Sequence, residues 1–349
     1  MLSNGVRPAG DCLGVVANPM SGRDIRRLVA RASVFPNAEK ANMVLRLAAA
    51  AGTLGVRRVL VSTDAFGVAA AVLRATQRRR DRDRWPELIF LELPAPTGTA
   101  ADTRAAVALM RAAGAAAIVL LGGDGTVRAA APELADVPLV ALSTGTNNAF
   151  PQLAEATVAG MAAALVATGA VTDGVWRAKV LRVTAGRRTE PALVDACVSV
   201  VPHVGARALW QVEPLRELYC AYAEPHAVGL SGIAAQLLPT ARTDPHGVAV
   251  RLGPGGCTVL APIAPGVLAE VAVAEVSALP VGETRASRVA AGTVAVDGER
   301  ELEFGPGTPV RVTLSADGPR VVDVHAVLRD AAERRLLVRS PVPIPGGLR

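Results

Sequence analysis

The sequence predicts an α/β protein in two parts: an N-terminal domain with a parallel, Rossmann-like sheet, and a β-rich C-terminal domain with a helical insertion. In the first half, short apolar runs alternate with helical stretches, and from about residue 172 strand-like segments follow one another directly. The chain has 349 residues, which is enough for about two domains. We expect a first domain over 1–150, a β-rich domain over 151–324, and a C-terminal segment, 325–349, that returns to the first domain.

Five apolar strands are predicted in the first half, at residues 12–18, 57–62, 87–93, 116–122 and 137–143. The sequence also predicts helices from about Arg23, over 39–54, after Asp64, over 99–113 and from about Thr126. Strands that are apolar on both faces are typical of a parallel sheet with helices on each side. The first domain is therefore expected to be a parallel sheet covered on both faces.

The second half is predicted to be an antiparallel β domain with one helical interruption. The candidate strands lie at residues 177–184, 192–201, 247–252, 257–261, 268–276, 288–296, 300–304, 308–314 and 320–324. A helical insertion is expected at about 205–240, with a helix over 205–223 and an apolar, glycine-hinged loop over 229–238. A last helix over 325–334 and a short strand over 335–339 are expected to precede a loose tail.

Composition narrows the classes of protein and partner. Hydrophobic residues make up 51% and charged residues 19% of the chain, which excludes a disordered protein. The net charge is +6, carried almost entirely by arginine because Lys40 and Lys179 are the only lysines, and this positive balance suits a phosphate site. Aromatic residues, at 3%, are too few for base-stacking platforms, so we expect no nucleic-acid partner.

No sequence feature indicates export, membrane insertion or a metal site. The four cysteines include no C-x-x-C pair, which argues against a zinc ribbon or a disulfide framework, and the four histidines lack metal-ligand spacing. The start of the chain lacks a basic segment followed by an apolar run, which argues against a signal peptide. The Ala/Gly-rich stretch 158–171 is too short to cross a bilayer. We expect a cytoplasmic protein without stable membrane association, and we assign no metal ligand.

The strongest local motif is a glycine-rich turn between the fourth strand and a helix, made of Gly122, Gly123, Asp124, Gly125 and Thr126. Glycines allow the backbone to turn sharply and to approach a ligand, and the N–H groups at the start of a helix suit a phosphate. An aspartate is unusual in such an anion site, so Asp124 must be offset by a cation or must accept a proton. The alternative interpretation is a structural turn with Asp124 as the helix N-cap.

Two further turns follow strands of the same predicted sheet. They contain Asn18, Pro19, Ser21 and Gly22 after the first strand, and Gly145, Thr146, Asn147 and Asn148 after the fifth. Hydroxyl and amide groups at strand ends bind phosphate and sugar oxygens, although each turn alone is also compatible with an ordinary capped loop. All three turns fall on one side of the sheet, where open α/β sheets bind ligands, so together they predict a nucleotide or phosphate site.

Three acidic residues of the second half are further candidate site residues. Asp195 lies in an apolar strand, where a buried carboxylate would need a partner, unless it faces water at the strand end. Asp297 and Gly298 form a strong two-residue hairpin signal, and this tight turn could also present Glu299 to a site. No P-loop motif is present, no G-x-G-x-x-G opens the first helix, and protein-kinase signatures are missing, which excludes those three classes of nucleotide-binding protein.

These motifs resemble those of the NAD kinase and diacylglycerol kinase superfamily. The GGDGT segment at 122–126 is similar to the superfamily signature, while residues 18–22, 145–148 and 297–299 resemble turns of its lipid-kinase side. The chain is most similar to the bacterial ATP-NAD kinase branch of the acetoin-catabolism X (AcoX) type. The resemblance extends, in order, over about residues 12–340.

The resemblance implies a nucleotide-binding domain, an acceptor domain and an active site between them. It implies phosphoryl transfer from ATP or another donor, with Asp124 as the base that polarises the 2′-hydroxyl of the adenosine ribose. By the same resemblance, the three turns would bind the nucleotide and its phosphates, Mg²⁺ would bridge phosphate oxygens, and the chain would form a homo-oligomer. Asp195, Asp297 and Glu299 would bind the acceptor.

The resemblance makes NAD(H) the first acceptor to consider, but a position of the second half departs from the pattern by which NAD kinases hold the dinucleotide. Val194 stands where NAD kinases have an asparagine that holds the dinucleotide, and a buried valine cannot make those hydrogen bonds. Two alternatives therefore stay open. One is a kinase of a lipid or another small alcohol, and the other is a non-catalytic nucleotide-binding sensor with the same fold.

Overall fold

The architecture comes from a computed structural model that describes residues 10–22, 35–77, 85–93, 96–145, 148–204 and 211–339. The predicted helix from about Arg23, the predicted site residues Thr146 and Asn147, and the tail after residue 339 lie outside the described residues.

The described residues form helices and strands in the following order. The strands are β1 (Cys12–Ala17), β2 (Arg58–Ser62), β3 (Glu87–Leu91), β4 (Ala117–Gly122), β5 (Leu139–Ser143), β6 (Val175–Arg177), β7 (Val180–Ala185), β8 (Arg188–Ala192), β9 (Asp195–Ser199), β10 (Leu215–Cys220), β11 (His246–Ala264), β12 (Val267–Pro280), β13 (Thr284–Ala286), β14 (Gly292–Val296), β15 (Glu299–Phe304), β16 (Val310–Ser315) and β17 (Arg320–Val322). The helices are α1 (Asn37–Thr53), α2 (Val68–Gln77), α3 (Ala100–Ala112), α4 (Asp124–Leu134), α5 (Ala156–Ala167), α6 (Ser231–Ala235) and α7 (Val324–Glu333).

The first sheet has seven strands in the order β3-β2-β1-β4-β5-β17-β6. Strands β1 to β5 are parallel, as predicted, and every residue of β1 and β4 is buried. Alternate residues of these strands enter two separate cores. Val16 and Leu120 pack with α3 and α4 on one face, whereas Val15 and Leu121 pack with α1, α5 and α7 on the other. The predicted covered parallel sheet is confirmed.

The second unit consists of two antiparallel sheets. One has six strands in the order β12-β11-β10-β9-β14-β15, and the other has four in the order β13-β16-β7-β8. A single apolar cluster contains residues of both sheets, such as Leu181 and Val294, together with Leu120 and Val127 of the first unit. The two units therefore share a continuous core, which holds them in contact along one face of the parallel sheet.

The chain passes between the two units differently from the predicted boundary at residue 150. Helix α5 packs in the core beneath the parallel sheet, and β6 and β17 extend that sheet. The segment 320–324, predicted as part of the antiparallel domain, instead places Val321 beside Leu139 of β5 in parallel register. The reason is that β17 satisfies its backbone on the open edge of β5, a partner about 180 residues earlier that no local pattern reveals.

Two predicted elements are wrong. The helix over 205–223 is replaced, in its described part, by β10, which pairs with β9 and β11. Its buried Leu215 and Leu218 have helical spacing, but two neighbouring strands provide hydrogen bonds that local preference could not anticipate. The strand over 335–339 is absent, because α7 ends at Glu333 and the exposed segment that follows has no neighbouring strand among the described residues.

Candidate active site

The three predicted turns meet at the point where the strand order of the parallel sheet reverses. Because β1 lies beside β4 and β4 beside β5, the turns after these strands are neighbours. The Asn18 amide donates to Thr126 Oγ1 at 2.8 Å, and the Ser21 and Thr144 hydroxyls lie 2.8 Å apart. The Thr144 N–H also donates to the Gly122 carbonyl at 2.9 Å. Direct hydrogen bonds thus join all three turns into one surface.

This surface is the floor of a cleft of about 700 Å³ between the two units. Twelve of the predicted site residues line it: Asn18, Pro19, Ser21, Gly22, Gly123, Asp124, Gly125, Thr126, Gly145, Asn148, Asp297 and Glu299. Gly122 and Asp195 do not line the cleft. A volume of this size is in the range of sites for nucleotide-sized ligands.

The glycines of the two turns chiefly make room for neighbouring side chains. A Cβ atom on Gly122 would lie 2.5 Å from Thr126, and one on Gly145 would lie 2.5 Å from the Asn148 amide. A Cβ atom on Gly123 would lie 2.7 Å from Asn148 Oδ1. These three glycines are therefore needed for the close packing of the turns, and their approach to a ligand stays a prediction.

Asp124 is the first residue of α4, and Gly123 is the N-cap, so the alternative that Asp124 caps the helix is wrong. Its carboxylate instead accepts N–H groups from the loop after β5, from Ala149 at 3.1 Å and from Phe150 at 2.8 Å. These contacts fix the orientation of the carboxylate while the residue lines the cleft.

Lys40, which the sequence prediction did not include, holds the turn after β1. It lies on α1 and is fully buried. Its ammonium group donates to the carbonyls of Asn18 and Ser21, each at 2.9 Å. The only signal in the sequence was its rarity, since lysine occurs twice among 37 basic residues.

The predicted hairpin at Asp297 and Gly298 is confirmed, with φ values of +50° and +76° between β14 and β15. The same turn also reaches the cleft, because Asp297 and Glu299 line it. The Asp297 carboxylate is buried and accepts N–H groups from Leu193 at 2.9 Å and from Val194 at 2.8 Å. The hairpin tip therefore holds the segment that leads into β9 and also lines the cleft.

Arg128 joins this hairpin to the glycine-rich turn, and the sequence prediction missed it. It lies on α4 one helical turn after Asp124, and its guanidinium lies 3.7 Å from Asp297, 3.4 Å from Glu299 and 2.9 Å from Glu301. Burial raises the pKa of Asp297 to about 7, although Arg128 opposes this shift, and Asp124 adds to it. Two spacings in the sequence could have indicated Arg128. Asp124 and Arg128 are four residues apart, so they share one face of a helix, and Glu299 and Glu301 are two apart, so they share one face of a strand.

Asp195 is buried and lines a second cavity of about 20 Å³, together with Asp124, Val194, Ser231 and Asp297. The alternative that Asp195 faces water at the strand end is therefore wrong. The cavity adjoins the candidate base, but it has room for only about one water-sized group. A purine ring does not fit there in this arrangement.

The described part of the cleft is acidic, in contrast to the positive charge of the whole chain. It is lined by the carboxylates of Asp64, Asp102, Asp124, Glu190, Asp297, Glu299 and Glu301 and by the guanidinium groups of Arg104 and Arg128. The positive balance of the whole chain is therefore not found among these lining residues. A phosphate would need an additional cation here.

Comparisons with known proteins agree with this arrangement. Residues 13–171 match the family model of the ATP-NAD kinase N-terminal domain, and residues 179–317 match that of the acetoin catabolism protein X C-terminal domain. The chain is 42% identical over 346 residues to acetoin catabolism protein X of Cupriavidus necator, covering 96% of both proteins. The chain belongs to the acetoin catabolism protein X family.

The fold of this acetoin catabolism protein X family member is similar to the crystal structure of yeast NADH kinase complexed with NADH. The TM-score is 0.53 at 14% sequence identity, and the match covers 97% of this chain and 91% of the yeast chain. The similarity confirms the predicted fold class. Within the described ranges, no helix has the length and apolar character needed to span a membrane.

The cleft fits a magnesium ion that arrives with phosphate better than one held by protein alone. In the part of the chain that the structure describes, no three His, Cys, Asp or Glu side chains converge as metal ligands. Mg²⁺ commonly binds through one or two carboxylates together with substrate phosphates and water. The Glu299 side chain is 32% exposed, against 19% for Glu301, so Glu299 is the hairpin carboxylate that would contact such an ion.

Proposed function

We propose that this acetoin catabolism protein X family member transfers a phosphoryl group from a nucleoside triphosphate, ATP first, to a hydroxyl group, with NAD(H) as the first acceptor to test. The observation that carries the proposal is Asp124, a carboxylate fixed by two backbone N–H groups at the floor of a nucleotide-sized cleft. The match to the ATP-NAD kinase N-terminal domain and the fold shared with yeast NADH kinase support it.

In the proposed reaction, Asp124 accepts the proton of the acceptor hydroxyl while the oxygen of that hydroxyl attacks the terminal phosphorus of the donor. The bond from that phosphorus to the nucleoside diphosphate breaks, and the diphosphate leaves. Mg²⁺ would neutralise phosphate charge, with Glu299 as its protein contact. The turn residues Asn18, Ser21, Thr126, Gly145 and Asn148 would position the nucleotide.

A second acceptor class is favoured by one observation. Val194 is 1% exposed and lines the small cavity beside Asp124, and its side chain offers no hydrogen bond where an asparagine would hold a dinucleotide. A small alcohol or a lipid hydroxyl that reaches Asp124 from the main cleft is therefore the alternative substrate. Self-association, a cytoplasmic location and the absence of nucleic-acid binding stay predictions from sequence and resemblance.

The first test is phosphorylation by the purified full chain with Mg²⁺ and ATP. NAD, NADH, glycerol and diacylglycerol vesicles serve as acceptors, and mass spectrometry identifies the product. Asp124→Asn is expected to lower turnover by about 10²–10⁴-fold, because an amide cannot take the proton. The variant should fold, since Oδ1 alone already accepts both loop N–H groups, at 3.2 and 2.8 Å.

Asp323→Asn is the matched control, because Asp323 also stands at a helix start but caps α7 through Oδ1 outside the cleft. It should keep normal turnover, since asparagine caps helices equally well. Normal turnover by Asp124→Asn would contradict the role of Asp124 as base. Phosphorylation of an alcohol but not of NAD(H) would replace the acceptor, and binding of nucleotide without any product would support the sensor alternative.

A further inference from the structure

The loop that holds Asp124 is itself held from the opposite side. Ala149 and Phe150 donate their N–H groups to Asp124, and their carbonyl oxygens both accept from Arg242. The two guanidinium distances are 2.6 Å to the Ala149 oxygen and 2.9 Å to the Phe150 oxygen. The backbone of two consecutive residues, Ala149 and Phe150, thus connects the guanidinium group to the carboxylate.

The Arg242 side chain has little freedom of its own. Its Nε donates to Glu224 at 3.1 Å, and its guanidinium lies over the Tyr222 ring at 4.5 Å and over the Phe150 ring at 5.5 Å. The segments that carry Glu224 and Arg242 are joined by reciprocal backbone hydrogen bonds between Ala223 and Thr240. The side chain is 17% exposed, so these contacts are shielded from water.

The turn that carries Arg242 is fixed by the second of the two lysines. Lys179 donates to the carbonyls of Ala241, Asp244 and His246 at 3.1, 2.9 and 2.5 Å. The Ala241 N–H donates to the Asp244 carboxylate at 2.7 Å, which closes the turn. A compact ammonium group with three donors suits such a ring of carbonyls, where a planar guanidinium would not fit as well.

We propose that Arg242 is a positioning residue for Asp124: it belongs to the second unit, clamps the 149–150 loop, and so sets the place of the carboxylate in the first unit. The inference rests on the proposed phosphoryl transfer. Arginine is required because a planar guanidinium can bond two adjacent carbonyls and one carboxylate while stacking on aromatic rings. Lysine cannot reproduce that set of contacts.

The experiment compares Arg242→Gln and Arg242→Lys with the normal full chain by amide hydrogen–deuterium exchange and by steady-state kinetics. Exchange of the peptide that contains Ala149 and Phe150 is expected to rise in both variants, more strongly in Arg242→Gln. Turnover should fall by about 10²-fold in Arg242→Gln and less in Arg242→Lys, while the KM for ATP stays within about twofold, because misplacing a reacting group affects the transition state.

Arg177→Lys is the matched control, because Arg177 also bonds one carbonyl and one carboxylate, those of Gly318 and Asp136, at the far edge of the parallel sheet. It should change neither quantity. Unchanged exchange at 149–150 in Arg242→Gln would overturn the proposal, as would a uniform rise in exchange across the protein. If the normal protein phosphorylates no acceptor while exchange at 149–150 still rises, the proposed function fails and the holding role of Arg242 is supported.

Discussion

At the scale of single residues, buried polar side chains shape the candidate site by forming hydrogen bonds with backbone N–H and carbonyl groups. Asp297 is an example in which this role conflicts with the cost of burying a charge. Its carboxylate accepts three consecutive N–H groups, those of Leu193, Val194 and Asp195, yet its burial near Asp124 disfavours ionisation. The Asp297 side chain therefore holds the start of β9 through hydrogen bonds, although the folded state disfavours its ionised form.

The raised pKa of Asp297 predicts that the stability of the protein changes with pH and that this single residue causes the change. A pKa moved from 3.8 to about 7 corresponds to about 4 kcal/mol against the ionised form. Because the folded state binds the proton more tightly than the unfolded state, stability should fall as the pH rises from about 4 to about 7. Asp297→Asn should lack this fall, and thermal unfolding at pH 4.5, 6 and 8 would measure it.

Asp317→Asn provides the comparison, since Asp317 is an exposed partner of Arg182. Its difference from the normal protein should stay small at all three pH values. A constant difference between Asp297→Asn and the normal protein over this pH range would contradict the prediction.

At the scale of secondary-structure elements, helices hold the turns that follow strands. Helix α1 presents Lys40 to the turn after β1, and α4 presents Thr126 to Asn18 of the same turn. The turn residues were recognisable from local chemistry, because Asn-Pro and Ser-Gly are turn formers. The lysine was not, because its role depends on how α1 packs against the sheet.

Lys40→Met should therefore loosen the turn after β1 without unfolding α1. The half-buried carbonyls of Asn18 and Ser21 would each lose a charged donor, which we expect to cost about 2–4 kcal/mol of stability and to raise the KM for ATP. Thermal unfolding and initial-rate kinetics would measure the two effects. Arg46→Met on the same helix removes only half-exposed ion pairs to Glu39 and Glu155, and should cost less than about 1 kcal/mol. Equal effects of the two substitutions would refute this role of Lys40.

At the scale of the whole molecule, a shared apolar core and the two largely buried arginines Arg128 and Arg242 join the units that border the cleft. Arg128 of the first unit contacts three carboxylates of the second, and their positions are separated from it by about 170 residues. Arg242 makes the reverse connection, from the second unit to the loop that holds Asp124. The candidate base and the acidic hairpin are thus positioned by contacts between the units.

Arg128→Met should weaken the contact between the units in a pH-dependent way. Removing the guanidinium leaves three neighbouring carboxylates to repel one another, and we expect this to lower the free energy of unfolding by about 3–5 kcal/mol at pH 8. The cost should be smaller at pH 5, because the raised pKa of Asp297 allows that carboxyl group to bind a proton. Thermal unfolding and limited proteolysis at both pH values would measure this difference.

Arg182→Met, which removes an exposed pair with Asp317, is the control for Arg128→Met and should have little effect at either pH. A loss of stability in Arg128→Met that is equal at pH 5 and pH 8 would argue against the proposed charge balance.

Much of this arrangement could be predicted from local pattern. The five parallel strands, the three turns at their ends and the hairpin at Asp297 are determined by periodicity and turn chemistry within short windows. The position of Asp124 at the junction of a strand and the helix that follows is predicted in the same way. These features can be predicted because they depend only on residues that are close to one another in the sequence.

Only the tertiary structure decided which distant segments meet. It made β10 a strand by giving it two neighbours, placed β17 beside β5, and assigned Lys40, Arg128 and Arg242 to hold the cleft. It also showed that most glycines of the turns accommodate side chains. The physical reason is that strand pairing, burial and ion pairing depend on partners far away in sequence, and their energies override local preferences once the two units pack together.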